Sequence, residues 1–397
     1  MRIERSGLTY RKRRRPGCFS PVLLLGMLLG GLFALSWSWI GQWWQFGAPV
    51  ETNIASLRTA QAAFNSGNLD RTIEIVQQLL AIEPENAEAI ALLTRALVYR
   101  SYSDYNLDID RETALQLIES VEANHTLDQD VQATYAFVLQ ANGEPVQAVD
   151  VASRVLDRNP DHALARMAMA MGYSSVGSHD VALRESLKAV ASPGWRMDTH
   201  RSLAISYSGV GDYQNAMSSI ERAILLNDHM IPLYFERALY ARQLGNADAA
   251  SVAYFQILSI DPDNVKARIR LCELSSVLRE RDAAINYCQQ VTDRAPGWAD
   301  GWYQLGREYF LQGNFRLAQQ NLNRCSTLQV EQNVTVGERR FECWYLQGQA
   351  AEIVGDCPAL LAIYNEYRMM AAGSGLSQTW IYPPEGPPSC SASTAVP

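Results

Sequence analysis

The stretch GWYQLGREYFLQGNF, residues 301–315, contains the pattern that decides the fold. Trp302, Leu305 and Tyr309 recur at spacings of three and four residues, which predicts an amphipathic helix. Gly306 lies inside this apolar stripe, where glycine costs a helix about 1 kcal/mol relative to alanine. A glycine on the face that should be buried indicates that another helix comes too close to leave room for a side chain.

Small residues recur through the chain at intervals of 34 positions, with two intervals of 42, and Gly306 is one of them. Two further columns keep the same period: glycines where each first helix should end, and alanines inside each second helix. Each unit is therefore predicted to be two helices joined by a glycine turn, with the small residues where the helices cross. The three columns are Ala60, Thr94, Ala136, Ala170, Ala204, Ala238, Cys272, Gly306 and Gly348; Gly67, Gly143, Gly177, Gly211, Gly245, Gly313 and Gly355; and Ala114, Ala148, Ala182, Ala216, Ala250, Ala284 and Ala318.

The motif formed by Trp302, Leu305, Gly306 and Tyr309, followed by Ala318, resembles the tetratricopeptide repeat. The resemblance implies an all-α, right-handed α-solenoid of about nine helix-turn-helix units around a concave inner groove. The predicted units are 53–86, 87–128, 129–162, 163–196, 197–230, 231–264, 265–298, 299–332 and 341–374.

Four departures from the pattern mark irregular places in the array. The second unit carries an insertion near YRSYSDYNLD, and the linker NVTVGERR precedes the ninth unit. Arg279 replaces the turn glycine of the seventh unit, and Leu360 replaces the alanine of the ninth. The solenoid is predicted over residues 45–374, and the Pro- and Ser-rich tail, 375–397, is predicted to be irregular.

The N-terminal segment has the features of a membrane anchor. Residues 1–20 carry seven basic residues against one acidic residue, and the 19 residues between Val22 and Ile40 are uncharged. As a helix these would span about 28 Å, close to the thickness of the hydrocarbon layer. Residues 21–44 are therefore predicted to be a transmembrane helix, with residues 1–20 in the cytoplasm and the body outside it. A cleaved signal peptide is the alternative.

Cysteine usage agrees with an oxidising compartment. Six cysteines follow the apolar segment, and none of them forms a C-x-x-C pair. Cys272 and Cys288 are predicted to form a disulfide within the seventh unit, with two reduced, buried thiols as the alternative. By register, Cys325 could meet Cys343, which would leave Cys357 with Cys390.

The sequence contains no motif for chemistry. It has no phosphate-binding loop, dinucleotide fingerprint or nucleophile elbow, and its five histidines fall in different units. We therefore expect no enzyme activity, cofactor, metal or small-molecule substrate. The formal charge of −8, despite the basic N-terminus, argues against nucleic acid as the partner.

What remains is a surface for a protein or peptide ligand. In the family, partners lie against the first helix of each unit, on the side facing the groove. Any one of the residues carried over by register could instead pack against a neighbouring repeat. The lysine and asparagine clamp of chaperone-binding members is not visible. The predicted groove residues are Phe137, Met167, Met171, Arg201, Ile205, Phe235, Leu239, Arg242, Tyr303, Arg307, Phe310 and Tyr345.

These observations favour a membrane-tethered, extracytoplasmic scaffold that binds protein partners to assemble an envelope or secretion complex. An assembly chaperone that holds exported, unfolded chains is the alternative. An enzyme would need a catalytic site in the tail or the linker, and both segments are short and poor in motifs.

Overall fold

The computed structural model describes residues 50–124, 127–194, 196–374 and 390. Contacts divide the chain into residues 1–55 and residues 56–397, and of the first part only 50–55 are described. The predicted membrane helix between Val22 and Ile40 lies outside the described residues and stays a prediction. Within the described residues, no helix is long and apolar enough to cross a membrane.

The described residues form 18 α-helices and no strand, which confirms the predicted all-α helical repeat. The helices pair in order, so that α1 and α2 make the first unit and α17 and α18 the ninth. A short 3₁₀ turn, Val336–Glu338, precedes the ninth unit. The helices are α1 Val50–Asn65, α2 Leu69–Leu80, α3 Ala87–Ser101, α4 Ile109–Glu122, α5 Gln129–Ala141, α6 Pro145–Arg158, α7 Ala163–Ser175, α8 His179–Ala191, α9 Arg196–Gly209, α10 Tyr213–Leu226, α11 Ile231–Gln243, α12 Ala247–Ile260, α13 Val265–Val277, α14 Arg281–Arg294, α15 Ala299–Gln312, α16 Phe315–Glu331, α17 Glu342–Val354 and α18 Cys357–Ser374.

The small columns lie where the helices of each unit cross. Every alanine of the first column, which contains Gly306, and of the alanine column in the second helices is fully buried. Thr94 and Cys272 of the first column are also fully buried. A side chain added at Gly306 would place its Cβ 2.6 Å from Leu322 Cγ on α16. The glycine is therefore present because α15 and α16 come into close contact at this point, as its position in the apolar stripe predicted.

The turns between paired helices follow from the residues at the end of the first helix. Gly313 ends α15 with a φ of 85°, and Asn314 then accepts a hydrogen bond from the backbone N–H of Leu317 to begin α16. Arg279, which stands in place of the turn glycine in the seventh unit, takes the same left-handed conformation with a φ of 63°. The turn geometry is thus kept even where the glycine is missing.

Three disulfides join the six cysteines in the predicted pairs. Cys272 on α13 and Cys288 on α14 bond across the seventh unit, with their Cα atoms 5.4 Å apart. The corresponding separations are 6.0 Å for the Cys325–Cys343 pair and 5.3 Å for the Cys357–Cys390 pair. The last of these holds a residue of the tail against the start of α18.

Substitution Gly306→Ala should destabilise the array. The added methyl group would overpack the contact with Leu322, at a cost of about 1–3 kcal/mol, which exceeds the about 1 kcal/mol that alanine gains in helix propensity. Gly337→Ala is the matched control, because no atom lies within 4 Å of its added Cβ. Urea unfolding should show a lower free energy for the first variant only; equal values would contradict the crossing role of Gly306.

The double substitution Cys272→Ala and Cys288→Ala should lower the free energy of unfolding. The bond closes a separation of 16 residues, for which loop-closure entropy gives about 3 kcal/mol. Denaturant unfolding of the oxidised variant and the oxidised wild type measures the difference. Free thiols at both positions, found by alkylation and mass spectrometry of wild-type protein isolated under oxidising conditions, would refute the bond.

Candidate functional site

The inner faces of the first helices do not enclose an open channel along their whole length. Arg95 on α3 donates to both carboxylate oxygens of Asp198 on α9, at 3.0 and 3.1 Å. The Tyr99 hydroxyl donates to the same carboxylate at 2.6 Å, and all three residues are buried. The second unit therefore lies directly against the fifth.

The charged network continues from the fifth unit to the sixth. Arg201 lies over the ring of Tyr99, with 5.3 Å between the guanidinium carbon and the ring centroid, and donates to Glu236 Oε1 at 2.7 Å. Burial raises the pKa of Glu236 above its usual value, although the charge of Arg201 acts in the opposite direction. Burial likewise raises the pKa of Tyr99 well above 10. These groups bridge the second, fifth and sixth units.

An aromatic core fills the same interior. The ring of Tyr99 packs against Phe64 of the first unit and Phe137 of the third, with both centroid separations at 5.9 Å. One continuous hydrophobic cluster runs from Ala60 to Tyr240. The interior around Tyr99 is therefore packed with side chains of the first, second, third and fifth units.

This packing determines which predicted groove residues are accessible. Phe137 and Met167 are each 1% exposed and belong to the core, so the candidate surface does not include them. The sequence prediction placed them in an open groove, because the register of a single unit does not reveal that the second unit fills this part of the interior. Met171 and Arg201, each 5% exposed, lie at the edge of the filled region.

The predicted residues of the last two units also make contacts within the array. Arg307 lies 3.2 Å from the carboxylate of Glu308, which is itself fully buried. The ring of Tyr303 lies 4.6 Å from a guanidinium of the linker before the ninth unit. Phe310 and Tyr345 are half-buried against residues of their own units. This part of the groove is therefore engaged by internal packing.

Two neighbouring cavities remain on the inner side, of about 390 and 430 Å³. They share Leu239, whose side chain is 45% exposed. We call the surface of these two cavities the inner cleft. The first cavity brings together five of the predicted groove residues, and Arg242 lines the second. The lining includes Tyr102, Gln140, Met171, Arg201, Ile205, Phe235, Glu236, Leu239 and Lys266 in the first cavity, and Leu239, Arg242, Leu274, Val277 and Leu278 in the second.

Besides the paired Arg201 and Glu236, two cations give the inner cleft a positive charge. Lys266 Nζ donates to the carbonyl of Tyr102 at 2.7 Å and lies 4.7 Å from the centroid of Phe235. Burial lowers the pKa of Lys266, and no carboxylate of the described residues forms an ion pair with it. Arg242 is exposed and hydrogen-bonds Tyr254. Sequence reasoning missed Lys266, although the chain contains only three lysines.

The comparisons with known proteins agree with the repeat pattern. The family model of the tetratricopeptide repeat matches residues 231–264 and 299–329, in the sixth and eighth units. A chain of the APC/C hetero-tetramer Cut9–Hcn1 gives a TM-score of 0.55 at 17% identity, over 81% of this chain and 60% of that chain. This chain therefore spans less than two thirds of that relative.

Two further solved structures give lower scores. The human IFIT1 dimer with PPP-AAAA has a TM-score of 0.49 at 15% identity, covering 69% of this chain and 72% of that chain. A thermophilic tetratricopeptide-repeat protein of Thermus thermophilus has 0.39 at 22%, covering 46% and 99%. No curated protein matches the sequence.

The protein is a stack of helix pairs with a cleft along its first helices. This architecture is typical of helical-repeat scaffolds for protein interactions. The sixth and eighth units match the tetratricopeptide-repeat family model, and the chain therefore contains tetratricopeptide repeats. The absence of catalysis, cofactor, metal, small-molecule substrate and nucleic-acid binding stays a prediction.

Substitution Asp198→Ala should strongly destabilise the protein, because it leaves Arg95 buried without its counter-charge. Removal of one partner from a buried pair costs about 3–5 kcal/mol. Asp150→Ala is the control, since it breaks an exposed ion pair with Arg154 that contributes about 0–1 kcal/mol. The free energy of unfolding in urea measures both effects. Similar losses in the two variants would contradict the role of Asp198 in holding the second unit against the fifth.

Proposed function

We propose that the protein is a membrane-tethered, extracytoplasmic scaffold that binds a partner segment along the inner cleft and thereby assembles an envelope or secretion complex. The observation that carries the binding proposal is the inner cleft itself. Leu239 stands nearly half exposed between two cavities, with Lys266 beside one and Arg242 beside the other. Exposed apolar groups in a cleft suit a bound segment.

The chemistry of the inner cleft supports a partner that is apolar with acidic groups. Its walls are formed by aliphatic and aromatic side chains such as Ile205, Phe235 and Leu274. Lys266 and Arg242 supply positive charge in a chain whose formal charge is −8. A carboxylate of the partner could accept charge-assisted hydrogen bonds from either cation.

Two features support the proposed location. The basic leader and the uncharged stretch between Val22 and Ile40 have the length and charge asymmetry of a single-pass anchor. The six cysteines that follow this stretch lie in three bonded pairs, an arrangement that suits an oxidising compartment outside the cytoplasm.

Substitution Leu239→Glu should weaken partner capture about ten- to hundredfold, because it removes an apolar anchor and adds a negative charge beside acidic partner groups. Leu225→Glu is the matched control, since Leu225 lies on the second helix of the fifth unit and is 84% exposed. A membrane-impermeant crosslinker is added to intact cells, or to spheroplasts where an outer membrane exists. The captured proteins are then identified by mass spectrometry.

A defined partner that is lost with Leu239→Glu and kept with Leu225→Glu is the expected result. Both variants should melt at the wild-type temperature. Capture that is unchanged, or that falls only because the protein melts, would exclude the inner cleft. Failure of the impermeant reagent to reach the body would refute the location, and many weak, unrelated clients would favour a chaperone.

A further inference from the structure

The insertion of the second unit lies against the junction of the sixth and seventh units. We call residues 102–106 the strap. The carbonyl of Ser103 accepts a hydrogen bond from Asn264 Nδ2 at 2.9 Å, and the carbonyl of Tyr102 accepts one from Lys266 Nζ at 2.7 Å. Because 161 or more residues separate each pair in sequence, these contacts join distant parts of the array.

The carboxylate of Asp104 meets the beginning of α13. It accepts hydrogen bonds from the backbone N–H groups of Lys266 at 2.9 Å and Val265 at 3.3 Å. The first N–H groups of a helix lack partners within the helix, and the helix dipole favours a negative charge there. Burial raises the pKa of Asp104, and the backbone hydrogen bonds act in the opposite direction.

An aromatic contact completes the attachment of the strap. The ring of Tyr105 stacks on Trp298, with centroids 4.4 Å apart and an angle of 28° between the planes. Trp298 directly precedes α15, the first helix of the eighth unit. The strap therefore contacts the end of the sixth unit and both ends of the seventh unit through two carbonyls, one carboxylate and one aromatic ring.

The strap also borders both the inner cleft and a larger cavity. Ser103, Asp104 and Asn106 line a cavity of about 730 Å³, whereas Tyr102 and Lys266 line the 390 Å³ cavity of the inner cleft. The strap stands between these two spaces. If it moved away, the two spaces would be joined.

The contacts of the strap are those that a linear segment of another protein can make. Backbone carbonyls, a carboxylate and an aromatic ring need no folded context in the ligand, as in other modes of peptide recognition. The second unit also has buried contact residues outside the strap, since Thr94 on α3 and Ala114 and Ile118 on α4 are fully buried.

We infer that the strap is an internal ligand. It occupies a site made of the start of α13, Lys266 and Trp298, and this site binds a partner segment in which a carboxylate residue is followed by an aromatic residue. Binding of such a segment displaces the strap and joins the two cavities. The inference rests on the proposed function, because it assumes that the partner is a protein.

The test uses the full chain with its disulfides intact and a fluorescent peptide, SYSDYNLD, which copies residues 101–108. The double variant Asp104→Ala and Tyr105→Ala should bind this peptide about tenfold more tightly than the wild type, because the competing internal segment is weakened. Glu112→Ala is the matched control, since Glu112 is exposed on α4 and lies outside the strap. It should bind like the wild type.

An altered peptide and a further variant of the protein show whether the proposed contacts are used. A peptide with asparagine at the position of Asp104 should bind the double variant with nearly the same affinity as it binds the wild type. Addition of Trp298→Ala to that variant should abolish the gain. A folded double variant that does not gain binding, or that gains equally for both peptides, would overturn the inference.

A second measurement covers the case in which the double variant does not fold. Excess peptide added to the wild-type chain should accelerate hydrogen exchange in residues 102–106 while leaving exchange in α5 unchanged. No acceleration at saturating peptide would overturn the inference. Because neither assay uses the natural partner, this failure is distinct from loss of capture in the Leu239→Glu experiment, which tests the proposed function alone.

Discussion

The close crossing of two helices in every unit is the constraint on which the rest of the structure depends. Small residues at the crossing let the backbones approach, and Leu322 occupies the space that a side chain at Gly306 would need. A helix pair made in this way is poorly stable alone, since each unit contacts mainly its neighbours in the stack. Repetition of one crossing fixes the orientation of each first helix, and these helices form the inner surface.

The packed part of the interior around Tyr99 limits where a partner can bind. Arg95, Tyr99 and Asp198 join the second unit to the fifth, so the inner surface is closed at this contact. The inner cleft begins beyond it, around Leu239 and Lys266. An ion pair that stabilises the array thus also limits the length of the binding surface.

The disulfides lie in the part of the array that lacks a large continuous core. One cluster of buried apolar residues extends from the first unit into the sixth, whereas the later units contain several smaller clusters. All three bonds lie in the seventh to ninth units and the tail. Covalent links add stability to this part of the array, and disulfides persist in an oxidising compartment.

The sequence by itself determined the repeat, the helix pairs and the turns, because these depend on spacings within one unit or between neighbours. It predicted the Cys272–Cys288 bond but left the full cysteine pairing open. Only the tertiary structure decided that Phe137 and Met167 are buried and that Lys266 lies beside the strap. The Arg95–Asp198 and Lys266–Tyr102 contacts join residues 103 and 164 positions apart, and they follow from the small rotation that each unit adds to the stack. No single column of the repeat encodes the rotation accumulated over several units. The position of the inner cleft could therefore not be predicted from the repeat period.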